Sequence, residues 1–197
     1  MTLKKHSKVR MIPQLLRRLV GKNVIVILLR EKIDPQPLTG YVVDLNSDFV
    51  VIHCMNDDII LDGYAILRIQ DLTFVEHKPK HGAFYMEALK LRGYAPERPV
   101  GICLDSTASI LESVNRHYPL VTVHREGIRN DECTIGRIEK LTDKTVILKW
   151  LTPSARWDGY SQRYRLADIT NIGFGCLYED ALTRVARIQP DESGGYG

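Results

Sequence analysis

The fold of this chain is decided by residues 40–75, which read GYVVDLNSDFVVIHCMNDDIILDGYAILRIQDLTFV. A second copy of the pattern occupies residues 136–172, which read GRIEKLTDKTVILKWLTPSARWDGYSQRYRLADITNI. A glycine, alternating apolar residues and an Asp-Gly-Tyr triplet recur at an offset of 96 positions, and after one inserted residue an Arg-x-x-Asp-x-Thr pattern recurs at 97. Because polar as well as apolar positions recur at a fixed offset, the chain is predicted to contain two copies of one structural unit.

Each copy is predicted to form five short strands, because short apolar runs alternate with turn residues. In the first copy the predicted strands are residues 23–30, 39–44, 49–55, 64–69 and 72–75. We expect a loop at residues 34–37, a tight reversal at 46–48 and turns at the Asp-Gly pairs 62–63 and 158–159. A single helical turn is expected at residues 70–71. Five short strands with tight links suit a small closed barrel, since closure removes exposed strand edges.

Helices are predicted on both sides of each set of strands. Residues 11–20 carry apolar side chains at helical spacing, with Arg17 and Arg18 on the outer face. Further helices are expected at residues 84–91, 106–117 and 178–188, the second of these capped by Asp105 or Ser106. The predicted fold class is therefore mainly β with flanking helices (α+β). The predicted segments are a basic start with a helix (1–20), a first barrel with its trailing helix (21–93), a linker and helix (94–117), a second barrel with its trailing helix (118–190) and a flexible tail (191–197).

The composition is that of an ordinary globular protein, with 44% hydrophobic and 26% charged residues. No apolar run approaches the ~20 residues that cross a bilayer, and no secretory signal is recognisable, so we expect a cytoplasmic protein without a membrane partner. The four cysteines are scattered, and we expect reduced, mostly buried thiols. The net charge of +3 is unevenly distributed, because residues 1–30 carry +8 and the rest of the chain carries −5.

The repeated pattern resembles Sm-like and SH3-like small barrels. Residues 40–45 and 136–141 resemble the second strand of that fold, and residues 68–72 and 165–169 resemble its passage from the fourth strand to the fifth. The resemblance implies two tandem five-stranded barrels, each preceded and followed by a short helix. Asp-Gly-Tyr, Arg-x-x-Asp and a later Tyr-x-x-Ala-Leu are together similar to bacterial proteins of unassigned function. The Asp and Asn that RNA-binding Sm proteins carry are replaced here by Asn46 and Val50, and by Thr142 and Val146.

Catalytic chemistry is weakly represented in the sequence. His77 and His81 are separated by Pro79, which breaks the helix that would bring the two side chains to one face. Asp71 and Asp168 are expected to cap the single helical turns or to pair with Arg68 and Arg165. We find no Gly-rich phosphate loop and no metal-binding motif. The sequence therefore predicts no catalytic residue, no metal ligand and no cofactor, and we do not expect an enzyme.

Aromatic residues concentrate around one predicted loop of the second copy, residues 152–159, which we call the Trp157 loop. Arginine and aromatic residues are enriched at protein interfaces. The candidate protein-contact residues are Trp150, Arg156, Trp157 and Tyr160, together with Tyr64 in the first copy. In the alternative interpretation Trp150 closes the barrel and Trp157 covers its mouth, and the two tyrosines are core residues with bonded hydroxyls.

We therefore predict a non-enzymatic protein-binding module, such as a bacterial immunity or antitoxin-type inhibitor, or an adaptor. The alternative is an RNA-associated or regulatory Sm-like protein that uses its basic start. The candidate nucleic-acid contacts are then Lys4, Lys5, Lys8, Arg10, Arg17 and Arg18. Another protein is the expected partner in the first case and RNA in the second, and the chain is expected to be a monomer or a small homo-oligomer.

Overall fold

The computed structural model describes residues 3–188, and the side chains within that range except those of residues 3–10, 130, 131 and 188. The predicted tail at 191–197 lies outside the described residues. The chain divides into two compact units, Met1–Val100 and Gly101–Gly197. The fold is mainly β, with antiparallel strands and flanking helices, as predicted.

The first unit contains two helices and five strands. Helix α1 (Leu3–Leu19) precedes the strands and helix α2 (Gly82–Leu91) follows them. The strands are β1 (Ile25–Arg30), β2 (Asp34–Leu45), β3 (Phe49–Met55), β4 (Leu61–Arg68) and β5 (Phe74–Glu76), with a 3₁₀ turn at Ile69–Asp71. Neighbouring strands pair antiparallel in the order β5–β1–β2–β3–β4.

The second unit repeats this order. Helix α3 (Thr107–His117) comes first and helix α4 (Leu177–Ile188) last. The strands are β6 (Val121–Arg125), β7 (Arg129–Leu141), β8 (Thr145–Leu151), β9 (Trp157–Arg165) and β10 (Asn171–Phe174), with a 3₁₀ turn at Leu166–Asp168. Pairing follows the order β10–β6–β7–β8–β9.

The strand order within each unit is that of an open sheet. The last strand, β5 or β10, lies next to the first, while the fourth, β4 or β9, lies at the far end of the order. The closed barrels expected from the sequence are therefore not confirmed.

Repeated hydrogen bonds explain several repeated residues. The Asn46 side chain accepts from the backbone N–H groups of the reversal that follows β2, and Thr142 does the same after β7. Thr73 donates its hydroxyl to the Leu29 carbonyl, and Thr170 donates to that of His124. Because each threonine also accepts from a backbone N–H, it ties the end of the first strand to the start of the last.

The turn between the third and fourth strands also repeats, with an unusual backbone. Ile59 and Ala155, which are 96 positions apart, have φ angles of 56° and 57°. Their N–H groups donate to the carbonyls of Asn56 and Thr152. Residues other than glycine are disfavoured at positive φ, because the side chain then crowds the backbone. The identities of Ile59 and Ala155 therefore gave no indication of this turn conformation.

Three local predictions are wrong. Helix α1 begins at Leu3 and not at residue 11. Residues 34–37 belong to β2, because a register shift opposite Leu28 and Arg30 lets the two prolines sit where the ladder is interrupted. Asp62-Gly63 forms no hairpin turn but a bulge in β4 between the pairs His53–Tyr64 and Met55–Leu61, and the positive φ of Gly63, 69°, suits it. Asp158-Gly159 likewise lies inside β9.

The core of the first unit joins the apolar face of α1 to the strands. Ile12, Leu16 and Leu19 pack with the inward residues of β1, β2 and β3. Their spacing is that of one helical face, which is the pattern that predicted the helix. No helix in the described part of the chain combines the length and the apolar character that a membrane crossing requires.

Candidate functional site

The candidate site of the second unit is built around Trp157. This residue begins β9, and its half-buried side chain packs against a small apolar cluster of Leu120, Leu151, Ala155, Leu182 and Ala186. The guanidinium carbon of Arg137 lies 4.7 Å from the centroid of the Trp157 ring. The Trp157 side chain therefore covers apolar residues, and the neighbouring arginine adds a charge at the surface.

A groove runs along helix α4 from Trp157 towards the start of the helix. It consists of two cavities of about 350 and 470 Å³, whose linings share Pro119, Leu120, Thr183 and Arg187. We call this feature the α4 groove. Its lining residues are Tyr118, Pro119, Leu120, Arg137, Leu151, Trp157, Gly175, Cys176, Glu179, Asp180, Thr183, Arg184, Ala186 and Arg187.

Positive charge lies at the Trp157 end of the α4 groove. Arg137 and Arg187 both line the cavity that contains Trp157. Within the described part of the chain, neither of these two guanidinium groups forms an ion pair with an acidic side chain. Arg184, in contrast, donates to Asp180 at 2.7 Å. Among the described side chains, the Trp157 end therefore carries two arginines without an acidic partner, whereas the first turns of α4 carry a balanced pair.

A buried carboxyl group lies at the other end of the α4 groove. Glu179 is 4% exposed and accepts from the Thr122 hydroxyl at 2.5 Å and from the Cys176 N–H at 3.2 Å. The bond to Cys176 is the reciprocal half of a capping box, because Glu179 stands three residues inside the helix. Burial raises the pKa of Glu179, and the hydrogen bonds that the carboxylate accepts oppose that rise.

The structure separates the other predicted contact residues. Tyr160 is 82% exposed, and Arg156 is exposed in the turn before β9. Trp150 is half-buried on β8, opposite Gly136. Tyr64 belongs to the first unit, where its ring stacks on His53 with centroids 4.5 Å apart. Only Trp157 among the five candidates lines the α4 groove.

The basic candidates for nucleic-acid contact lie on helix α1. Arg17 and Arg18 are exposed in its last turn. Arg18 also lines a mainly apolar cavity of about 530 Å³ between α1 and β5, together with Met11 and Phe74. The side chains of Lys4, Lys5, Lys8 and Arg10 lie outside the described residues.

The two repeated arginines, Arg68 and Arg165, pair with the two repeated aspartates, Asp71 and Asp168, as the sequence predicted. Arg68 Nε donates to Asp71 at 2.6 Å, and Arg165 donates to Asp168 from Nε at 2.9 Å and from Nη2 at 2.8 Å. The two pairs differ in exposure, since the Arg68 side chain is 23% exposed and that of Arg165 is 75% exposed. Each pair braces the single helical turn before the last strand of its unit.

The placement of potential metal ligands and of the cysteines can be stated for the described residues. Among them, no group of three or more His, Cys, Asp or Glu side chains is placed to hold a metal ion. The four cysteines are free, as expected. They are less buried than predicted, because Cys133 is exposed and the other three are half-buried.

Sequence reasoning missed most of the α4 groove. Tyr118, Arg137, Arg184 and Arg187 are spread over 70 positions, and no local motif connects them. The apolar face of α4 was the available signal, since Leu182 and Ala186 are four residues apart. The sequence placed that helix correctly, but it did not indicate which strand residues would face it.

Comparison with known proteins identified no relative of this chain. No protein-family model, no curated protein and no solved structure matches the chain.

Proposed function

We propose that this protein is a non-enzymatic protein-binding module, acting as an inhibitor or an adaptor, and that it binds through the surface of the second unit around Trp157 and Tyr160. The observation that carries the proposal is the exposure of Tyr160, which is 82%. Tyrosine, tryptophan and arginine dominate the binding energy at protein interfaces. Tyr160 follows Trp157 by three residues on β9, and Arg137 of β7 contacts the Trp157 ring. A tyrosine, a tryptophan and an arginine therefore lie near the start of β9.

The position of β9 supports the same surface. Within the second unit β9 lies at the end of the strand order and pairs with β8. Residues 159–163 are all exposed. A strand at the end of a sheet offers backbone donors and acceptors that a partner strand can pair with. A partner protein can therefore combine backbone pairing with the aromatic contacts.

The RNA-associated function is the second candidate, because Arg17 and Arg18 are exposed side by side on α1. Phosphate contacts need such cations, but sequence-tolerant RNA binding also uses open aromatic faces. In α1 the exposed arginines have no aromatic residue interleaved with them. We therefore rank protein binding first.

Two further parts of the proposal concern fold and location. We propose that each unit is an Sm-like or SH3-like small barrel. The leading helix, the five antiparallel strands and the 3₁₀ turn before the last strand support this. We also propose that the protein acts in the cytoplasm, where free cysteines such as the four of this chain stay reduced.

The test is site-specific photo-crosslinking in lysate of the source organism. A photoreactive phenylalanine analogue replaces Tyr160 in one variant and Tyr94, which is 37% exposed in the first unit, in the control. We expect the Tyr160 variant to crosslink one protein, at low and high salt and after nuclease treatment. The proposal is wrong if both variants give the same products, or if only nucleic acid is recovered and is lost at high salt.

A further inference from the structure

We propose that the α4 groove binds an acidic peptide segment that inserts one apolar or aromatic side chain beside Trp157. This inference rests on the proposed protein-binding function and specifies the chemistry of the partner. It is carried by the cavities along α4 and by Arg137 and Arg187 at one end of them, which have no acidic partner among the described side chains.

The anchor position is the cavity of about 350 Å³ at the Trp157 end. Leu120, Leu151 and Ala186 contribute apolar atoms to its lining. Cavities of this size that combine apolar walls with a few polar groups are typical of ligand sites. A single large apolar side chain fills such a space, and anchors of this kind supply most of the binding energy of a peptide.

The charge of the peptide follows from the arginines at the rim of this cavity. Arg137 and Arg187 are exposed, and among the side chains that the structure describes no acidic group forms an ion pair with either of them. Aspartate or glutamate residues that flank the anchor can therefore pair with both guanidinium groups. Guanidinium–carboxylate pairs can be bidentate, which fixes the orientation of the peptide as well as adding affinity.

The direction of the peptide follows from the opposite end of the groove. Asp180 already pairs with Arg184 there, and Glu179 is held by Thr122 and the Cys176 N–H. Additional carboxylates would meet acidic neighbours at that end. The acidic residues of the peptide therefore lie towards Trp157, and the rest of the peptide runs along α4 towards Tyr118.

Single-stranded nucleic acid fits the groove less well, although it too needs cations and aromatic rings. Base stacking requires an open ring face. One face of the Trp157 ring is covered by the Arg137 guanidinium, and the side chain is packed against apolar residues. A phosphate backbone that followed the groove would also pass the acidic side chain of Asp180.

The experiment pans a phage library of random peptides against the immobilised full-length chain. The most enriched peptide is then synthesised with a fluorescent label, and its affinity is measured by anisotropy. The double variant Arg137→Glu/Arg187→Glu is compared with Lys140→Glu/Lys144→Glu, which makes the same charge change at exposed positions of the same unit. Circular dichroism confirms that both variants are folded, and Arg137→Gln/Arg187→Gln serves as a milder second variant.

We expect enriched peptides to contain acidic residues around one large apolar residue. Loss of two ion pairs and the added repulsion should weaken binding about tenfold or more in the arginine variant. The lysine control should stay within about twofold, since more distant exposed charges are screened. Labelled single-stranded RNA, measured in parallel, should bind no better than background.

Four outcomes overturn the inference. The enriched peptides are basic or neutral, or they bind the arginine variant as well as the original chain, or no peptide is enriched. RNA binding that depends on Arg137 and Arg187 overturns it as well, in favour of a nucleic acid. Each of these outcomes can coincide with crosslinking of a protein at Tyr160, so the proposed function fails only by its own test.

Discussion

A Cβ atom placed on Gly136 would lie 2.2 Å from the carbonyl oxygen of Lys149 on the neighbouring strand. The same construction on Gly40 gives 2.2 Å to the carbonyl oxygen of His53. Because the contacted atoms belong to the backbone, a side chain at this position would have to displace the neighbouring strand. This close approach explains why both copies of the repeat carry a glycine at this position of the second strand.

Gly136→Ala should therefore destabilise the protein by about 2 kcal/mol or more, because overpacking against the backbone forces β7 and β8 apart. Urea unfolding monitored by circular dichroism measures the change. Gly159→Ala in the same unit is the control, since no atom lies within 4 Å of its added methyl carbon. Equal effects of the two substitutions would contradict the explanation.

Glu179 should make stability depend on pH in the mildly acidic range. Burial raises its pKa above the ordinary value near 4.5, so the folded state retains a proton that the unfolded state has lost. Stability should fall as the pH rises from about 4.5 through the folded-state pKa, because ionisation then costs more in the folded protein. Glu179→Gln should flatten this part of the curve, measured by urea unfolding at several pH values.

The control for this prediction is Glu112→Gln. Glu112 is 60% exposed on α3 and pairs with Arg116 in solvent. The pH dependence of this variant should match that of the original chain. A Glu179→Gln curve with the same slope as the control would contradict the prediction.

His53 should contribute a pH dependence of opposite sign, below its ordinary pKa of 6.5. Burial lowers its pKa below the ordinary value of 6.5, and Glu97 opposes that shift. The unfolded chain then binds a proton that the folded state does not, so stability is full above about pH 6.5 and falls as the pH drops through the folded-state pKa. Protonation would also remove the Nδ1 lone pair that accepts from the Glu97 N–H at 3.1 Å.

The measurement is an NMR titration of the histidine ring signals, assigned with His53→Gln. The His53 resonances should titrate at a lower pH than an unperturbed histidine, and His53→Gln should reduce the loss of stability below about pH 6.5. His77→Gln, in the loop after β5, is the control for the stability measurement. A His53 signal that titrates above pH 6.5 would exclude the proposed desolvation.

The pairs Arg68–Asp71 and Arg165–Asp168 show whether burial or the number of hydrogen bonds contributes more to the stability that an ion pair provides. Asp71→Ala should cost about 1 kcal/mol, because the Arg68 pair is partly shielded from solvent. Asp168→Ala should cost less, although Arg165 makes two bonds, since the Arg165 side chain is 75% exposed and water screens the pair. Thermal unfolding in low and high salt tests the order of the two effects. A larger loss for Asp168→Ala would mean that geometry outweighs burial here.

Much of the fold was predictable because its signals are local. The Ser106 side chain caps α3 by accepting from the Ser109 N–H, as the sequence indicated, and β3 has the predicted limits. The reversal at Asn46 forms through that residue's own side chain. In each case the determining contacts join residues a few positions apart.

The errors arose where distant chain segments impose the backbone conformation. Residues 34–37 belong to β2 despite two prolines, because only Asp34 of this stretch pairs with β1 and the register shift leaves 35–37 out of the regular ladder. Ile59 takes a positive φ in a turn whose Asp58 and Ile59 carbonyls accept from the distant Arg92 guanidinium. Intrinsic preferences argued against both, and tertiary pairing outweighed them.

The sequence by itself determined the two-copy arrangement, the helices, most of the strands and the repeated glycine, because these follow from periodicity and from residue preferences within short windows. Only the tertiary structure decided the α4 groove. Arg137 and Trp157 approach each other through the pairing of β7, β8 and β9, and α4 then adds Arg187 to the same cavity. Such a site depends on strand register and helix docking, which bring together residues that share no local pattern.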